Sequence, residues 1–350
     1  GTLYGGSNIG GAIKYVSKLP SDDFEAKVAT EYGNYDTVTE SGFVSGALVP
    51  GTLDVRVSSF YTNSHGYIDD TTLGQTVDRG AEYGGRMILK YNSDATTAYL
   101  IVAGDKIHTG AENLYYTPAS PTDYSLNIAD GTLPMFRRSL YSASLHIDHQ
   151  FSDDVSLTSI SSFFQSYIDF RTDIDKGPVP FLTGYSSSWQ NVASQELRLA
   201  NSGGGPGKWI IGLFAQSNDT PNNFLDTRSF NGDPGDAPSW SNPALYSDLL
   251  VNPTQKHAEF ALFGNYQYSI DRWIVEAGLR ADYNDSSMTD TLNEVSMAQH
   301  DTEIMPKFSA TYHVSDTAMI YAVIARCFEP GDLTEGADAV GSIIIERYKP

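Results

Sequence analysis

Residues 260–283 read FALFGNYQYSIDRWIVEAGLRADY. Phe260, Leu262, Gly264, Tyr266, Tyr268 and Ile270 alternate with Ala261, Phe263, Asn265, Gln267 and Ser269. Beyond Asp271-Arg272 the alternation resumes. Trp273, Val275, Ala277, Leu279, Ala281 and Tyr283 take one side; Ile274, Glu276, Gly278, Arg280 and Asp282 take the other. A period of two is the signature of a strand, whose successive side chains point to opposite faces. A two-residue link between such segments makes an antiparallel hairpin. Each arm is 11 residues long. That exceeds the usual strand of about 5–6 residues and suits a tilted strand crossing a bilayer, which needs about 9–11.

Outward from this hairpin the pattern repeats. Tyr141, Ala143, Leu145, Ile147 and Phe151 alternate with Ser142, Ser144, His146, Asp148 and Gln150, and Leu53, Val55, Val57 and Tyr61 alternate with Asp54, Arg56, Ser58 and Phe60. The alternation predicts thirteen strands, near 24–34, 38–49, 52–64, 80–92, 95–106, 138–151, 155–170, 185–201, 208–218, 257–270, 272–285, 302–314 and 317–327. Short turns fall at Pro50-Gly51, 92–94, 152–154, 202–207, 271–272 and 315–316. Long polar loops fall at 65–79, 107–137, 171–184, 219–256 and 286–301. From the second strand on, short and long connections alternate. In a meander, successive connections lie at opposite ends of the sheet, so one end carries the tight turns and the other the long loops. That is the layout of an outer-membrane barrel.

The composition excludes several classes. With 43 acidic and 22 basic residues the net charge is -21, and the pI is about 4.5, so a basic nucleic-acid protein is ruled out. Cys327 is the one cysteine, so no internal disulfide can form. The mean hydropathy is -0.29, and no run offers the roughly 18 apolar residues of a spanning helix. Hydropathy alone would therefore read as soluble. A barrel escapes that test, because its lipid-facing residues alternate with polar ones. Glu196, Arg198, Glu259, Glu276 and Arg280 share parity with the polar face. A soluble sandwich would turn them out to water and a barrel would turn them into its lumen; parity alone does not choose.

The first residues add a second line of argument. The chain opens Gly1-Thr2-Leu3-Tyr4-Gly5, continues through Gly10-Gly11-Ala12-Ile13-Lys14, and reaches Lys18-Leu19-Pro20. Gly5 and Gly10 have phosphate-loop spacing, but Gly11 and Ala12 stand where Lys and Ser/Thr are needed. The segment resembles the end of the plug domain in TonB-dependent outer-membrane receptors. Further stretches resemble that family's barrel in the same order: Ser194 to Leu199 with Trp209 to Gly212, Phe260 to Gly264 with Gly278-Leu279-Arg280, and Pro306 to Ser309 with Tyr321-Ala322 and Arg326 to Gly331. Glu346 to Pro350 resembles a later family segment. Lys14 stands where Asn is common, Cys327 where Gly is usual, and Glu329 where a basic residue is usual.

The resemblance implies an all-β fold: an antiparallel transmembrane β-barrel, 22-stranded in the family, with about thirteen strands here. Residues 1–22 are then the end of a plug domain, with Gly1, Thr2, Leu3, Tyr4, Gly5, Gly10, Gly11, Ala12 and Ile13 as its motif, and 23–350 a partial barrel. An odd strand count in a family of even-stranded barrels reads as an excerpt of a longer chain. The implied function is outer-membrane, TonB-dependent uptake of a scarce solute, often a ferric siderophore and in other members cobalamin, haem or carbohydrate. The protein is expected to be a monomeric transporter among outer-membrane lipids, not an enzyme, with no cofactor.

Candidate residues follow. Tyr115, Tyr116, Arg171, Trp240, Arg326 and Phe328 lie in or beside the loops and are candidates for ligand contact. Some of the lumen charges are expected to pair with plug charges and hold the plug in the barrel; the alternative is a solvated ion pair on the lumen wall. Tyr32, Tyr61, Tyr83, Tyr91, Tyr266, Trp273 and Tyr283 lie near strand ends, as aromatic girdles do. His146 and His149 sit three apart on one strand, so they face opposite sides and cannot share an ion. Asp173, Asp175 and Gly177 resemble a calcium loop, but Pro178 and Gly184 break its pattern. No nucleophile–base set has local context. Two other classes stay open at this stage. A passive porin would lack the plug-like residues 1–20, and an extracellular β-rich adhesin would need no detergent.

Overall fold

The computed structural model describes residues 15–110, 124–126, 134–174, 182–201, 204–221, 223–230, 246–328, 330–337 and 342–348. Its first strands are β1 (Glu25–Gly33), β2 (Thr37–Val49), β3 (Leu53–Ser64), β4 (Asp69–Asp70) and β5 (Gln75–Thr76). Next come β6 (Gly80–Asn92), β7 (Thr96–Thr109), β8 (Ser125–Leu126), β9 (Met135–Ser152) and β10 (Val155–Asp173). Then follow β11 (Leu182–Asn201), β12 (Gly207–Thr220), β13 (Phe224–Phe230), β14 (Tyr246–Val251) and β15 (Pro253–Ile270). The last are β16 (Trp273–Asp290), β17 (Val295–Ser315), β18 (Ala318–Ala325), β19 (Asp332–Ala337) and β20 (Ile343–Tyr348).

Thirteen strands form one antiparallel path, β1-β2-β3-β6-β7-β9-β10-β11-β12-β15-β16-β17-β18. Each expected strand corresponds to one of these. β1 and β18 are the two ends of the path, so the sheet is not closed on itself among the described residues. No helix among the described residues is long and apolar enough to cross a membrane. The turn at Pro50-Gly51 shows why the short connections are tight. Gly51 adopts φ +71, which costs glycine nothing and an L side chain a good deal.

The two faces invert the polarity of a soluble sheet. Phe260, Leu262, Leu279, Ile304 and Phe308 share one face and are 50–56% exposed. Their neighbours on the opposite face are sheltered, with Phe263 and Arg280 each 2% exposed and Asp282 5%. Water would not tolerate such an apolar face over so many strands. Hydrocarbon demands it, together with a fully paired backbone. The sheltered face is grooved: a cleft of about 440 Å³ is lined by Lys27, Phe43, Ser58, Phe60, Arg86 and Asp105.

On the exposed face, aromatic residues gather in two rows. Register partners Trp209 and Tyr266, and Trp273 and Tyr312, mark the short-turn end; the last two rings are 4.8 Å apart. Tyr61, Tyr83, Tyr167 and Trp189 mark the other end. Tyr83 and Tyr91 lie eight positions apart on β6. At ~3.4 Å per residue that is roughly 27 Å along the strand, comparable to an apolar band about 25 Å tall.

The long-loop end differs from expectation. Residues 286–301 are not a long loop, because β16 runs to Asp290 and β17 starts at Val295. The reversal is a tight turn held by Asp290, whose carboxylate accepts the Leu292 N–H at 2.7 Å and the Asn293 amide at 2.6 Å. The strict alternation of short and long connections therefore breaks at β16–β17. Likewise β10 continues to Asp173 and β11 begins at Leu182, inside the segment expected to loop over 171–184. The expected loop over 219–256 contains the hairpin β13–β14, which extends β11, and the start of β15. These extensions rise above the aromatic rows, where no apolar face is required. Their sequences are therefore polar and read as loop.

Candidate functional site

The sheltered face is a wall of paired charges. Arg280 is its most enclosed member. Its Nε donates to both Asp282 oxygens at 2.8 and 3.0 Å, and its Nη2 donates to Glu259 at 2.8 Å. The guanidinium carbon lies 5.7 and 5.8 Å from the Phe263 and Phe214 ring centroids, within cation–π range. Glu276 accepts Lys307 Nζ at 2.8 Å and Ser309 Oγ at 3.1 Å. Glu196 and Arg198, two apart on β11, pair with each other. All five lumen candidates thus lie on the sheltered face, and each has a partner on the wall itself. Parity makes this possible: residues two apart on a strand share a face, and register places β15, β16 and β17 side by side.

The wall extends beyond the residues singled out from sequence. Asp105 accepts Arg138 at 2.8 Å, Glu25 pairs with Arg56 at 3.4 Å, and Lys90 lies 3.9 Å from Asp54. The same parity argument would have found Asp282 and Lys307. The cross-strand partners depend on register, which sequence did not supply. His146 stacks on Tyr99 on the sheltered face, whereas His149 meets Thr96 and Phe151 on the other. Among the described residues no group of three or more His, Cys, Asp or Glu can hold a metal ion. Asp175 and Gly177 lie outside the described residues.

The loop candidates divide. Tyr115, Tyr116 and Trp240 lie outside the described residues, as do the plug-motif residues from Gly1 to Ile13. Arg171 lies within β10 rather than in a loop, on the exposed-face parity, and lines a small cleft with Met135, Tyr185 and Asp226. Arg326 follows β18 and donates to Glu303 at 2.6 Å, so it joins the charged wall. Phe328 is half-buried just beyond it.

A hairpin that sequence did not reveal covers part of the long-loop end. β19 and β20 pack Leu333 and Ile345 against Met288, with Val295 and Met297 alongside. The run Ile343-Ile344-Ile345 was the available signal. Gln255 donates to Asp332 at 2.8 Å, and Arg347 donates to the Ala298 carbonyl at 2.9 Å. Beneath the hairpin the Glu335 carboxyl oxygens are buried against the Asp290 carboxylate. Burial, and then the neighbouring Asp290, push the Glu335 carboxyl up to about 7. Asp290 goes the other way. Its burial is outweighed by the Asn293 amide and the backbone N–H groups of Asn252, Leu292 and Asn293, which hold it below its ordinary value.

Residues 59–345 match the family model described as TonB dependent receptor-like, beta-barrel. The chain belongs to the TonB-dependent receptor family. Its fold is similar to that of the ferric yersiniabactin uptake receptor FyuA from Yersinia pestis, with a TM-score of 0.82 at 19% identity, covering 99% of this chain and 53% of that one. The ferric citrate transporter FecA gives 0.67 at 15% identity, covering 95% and 48%. The ferric-catecholate import receptor Fiu from E. coli K12 gives 0.64 at 13%, covering 90% and 56%. This TonB-dependent receptor chain therefore spans about half the length of the structures it matches. At such identities the likeness is one of fold.

Proposed function

We propose that this chain is the first part of the barrel, preceded by the end of a plug at residues 1–22, of a receptor for active solute uptake. It works in the bacterial outer membrane as a monomeric barrel, and TonB with its inner-membrane complex supplies the energy. The cargo we assign is a ferric siderophore or another iron complex. FyuA, FecA and Fiu are each named for ferric cargo, and this supports the assignment. The observation that carries the membrane reading is the polarity inversion: Leu279 is 53% exposed one position from Arg280, which is 2% exposed.

The segment joining plug and barrel supports the same reading. Arg86 Nη1, on the sheltered face, donates to Ser17 Oγ at 3.0 Å. Lys18 bonds Glu25 at 2.7 Å, and both Asp22 carboxylate oxygens accept the Gly51 N–H at 3.0 and 3.1 Å. The chain preceding β1 is thus tied to the inner wall at the short-turn end, as a plug connection requires.

The test is uptake by the full-length receptor in cells with and without TonB, offered radio-iron as citrate, catecholate and phenolate complexes, and copper in parallel. Iron accumulation that needs both receptor and TonB is expected. Accumulation independent of TonB would replace this reading with a porin. Uptake of copper alone would overturn the cargo.

A further inference from the structure

The connector that leads into β1 is seated on the sheltered wall. Pro20 is buried, and the Ala47 N–H donates to the Asp22 carbonyl at 3.3 Å. A Cβ at Gly46 would stand 3.5 Å from Phe24 Cα, so the connector and β2 are in van der Waals contact. The Asp22 side chain reaches the β2–β3 turn, where it accepts the Gly51 N–H. One further contact in this seat joins two groups of the same kind. Asp54, the second residue of β3, is 2% exposed, and the Asp22 carboxyl lies against it within hydrogen-bonding reach.

The surroundings do little to satisfy Asp54. Its Oδ1 is buried, and no donor among the described residues reaches it. Lys90 Nζ, the register neighbour on β6, stops 3.9 Å from Oδ2, beyond hydrogen-bond distance. Arg56, two residues along β3, pairs with Glu25 at 3.4 Å, and Glu25 pairs with Lys18 at 2.7 Å. From β2 the uncharged Ala47 stands opposite Asp54, and on the connector Asp23 is exposed. Beyond Lys90 the same row continues with Tyr99 and His146, which stack on each other.

Two ionised carboxylates are acceptors only and repel each other. A proton held between them turns one into a donor, gives Asp54 Oδ1 its partner and removes one of two like charges. We propose that Asp22 and Asp54 form a proton-held latch that fastens the connector to the inner wall at the short-turn end. Apart, the two carboxyls ionise separately in water; together they keep one proton. Docking of the connector is therefore coupled to the uptake of one proton, and it weakens as pH rises. On the plug reading above, the latch sets how readily the connector leaves the wall; the latch itself needs neither that reading nor a particular cargo.

The experiment uses the full-length receptor in detergent, carrying Cys327→Ser and a spin label at Val16→Cys, an exposed connector position outside the latch. The label's mobility is followed from about pH 4 to about pH 8 in the presence of a chelator. The ratio of docked to mobile label should fall as pH rises, by up to about 10-fold per pH unit, the limit for one proton. Asp54→Asn puts an amide donor in place of the proton and should keep the label docked throughout. Asp22→Asn, in the exposed connector, should do the same and decides the matter if Asp54→Asn does not fold; heat-modifiable gel mobility reports folding. Mobility that ignores pH in the receptor with both aspartates would overturn the latch. So would an unchanged pH response in the folded asparagine variants. Return of the docked signal at about pH 8 on adding millimolar calcium would make the link a cation bridge and overturn the shared proton. Solute uptake that proves independent of TonB would instead overturn the plug reading and leave the latch standing.

Discussion

Arg280 donates to Glu259 across 2.8 Å, although register pairs Arg280 with Phe263 and Glu259 with Asn284. The bond is diagonal, spanning four positions of β15, and Asp282, two residues along β16 towards the level of Glu259, accepts the Arg280 Nε. One buried guanidinium therefore serves two carboxylates on adjacent strands. Removing it leaves both without a counter-charge in a sheltered place. Arg280→Ala is expected to destabilise the barrel by about 3–5 kcal/mol, read as a lower urea midpoint of the full-length receptor in detergent. Adding Glu259→Gln should recover part of the loss. An unchanged midpoint for Arg280→Ala would show that water, and not the ion pairs, satisfies these groups.

Gly212 supplies the space for that cluster. A methyl at Gly212 would overlap the ring of Phe263, its neighbour on the sheltered face. Phe263 is 2% exposed and its ring lies beside the Arg280 guanidinium. Gly212→Val should cost about 1–3 kcal/mol by overpacking, and Phe263→Leu in the same chain should relieve it. The same urea titration decides the matter: two independent, additive losses would refute the contact.

The β19–β20 hairpin should hold more loosely as pH rises. Glu335 has its folded-state value raised to about 7 from an ordinary 4.5. Below the ordinary value the carboxyl is protonated whether the hairpin is docked or not, and nothing is lost. As pH climbs through 4.5 towards 7, the undocked form ionises first and docking weakens, with the loss complete above about 7. Asp290 acts in the opposite sense, and on its own β16–β17 turn: the stabilisation is present above its ordinary value of 3.8 and fades only as pH falls below that. Amide exchange in Asp332–Ala337 should be slower at pH 5 than at pH 8, after correction for intrinsic rates. Glu335→Gln should remove the difference.

Period-two alternation was enough to find the thirteen strands of the meander, because a lipid-facing surface forces apolar residues to every second position. Leu279 and Arg280 illustrate it: adjacent in sequence, opposite in exposure. The same logic fails above the membrane. Asp285 to Asp290 is strand, yet nothing there needs an apolar outer face, so the segment reads as loop. Met288, Val295 and Met297 look isolated in sequence and gain their purpose only when Leu333 and Ile345 fold back on them. Parity is enough to place Glu196, Arg198, Glu259, Glu276 and Arg280 on one face of the sheet. It does not place their partners, since diagonal contacts such as Arg280–Glu259 depend on register and tilt. Arg171 reads as a loop residue in sequence because the strand carrying it turns polar at Arg171-Thr172-Asp173.

The central claim is that the apolar face meets lipid and the charged face lines an aqueous lumen. Spin labels settle it in the full-length receptor reconstituted in liposomes, after Cys327→Ser removes the exposed native thiol. Cysteines would be placed at Leu262, Leu279 and Ile304 on one face, and at Gln267, Gly278 and Thr311 on the other. The account predicts that the first three collide with molecular oxygen and not with a water-soluble nickel chelate, and that the second three show less oxygen collision. Nickel-accessible labels at Leu262, Leu279 and Ile304 would contradict it.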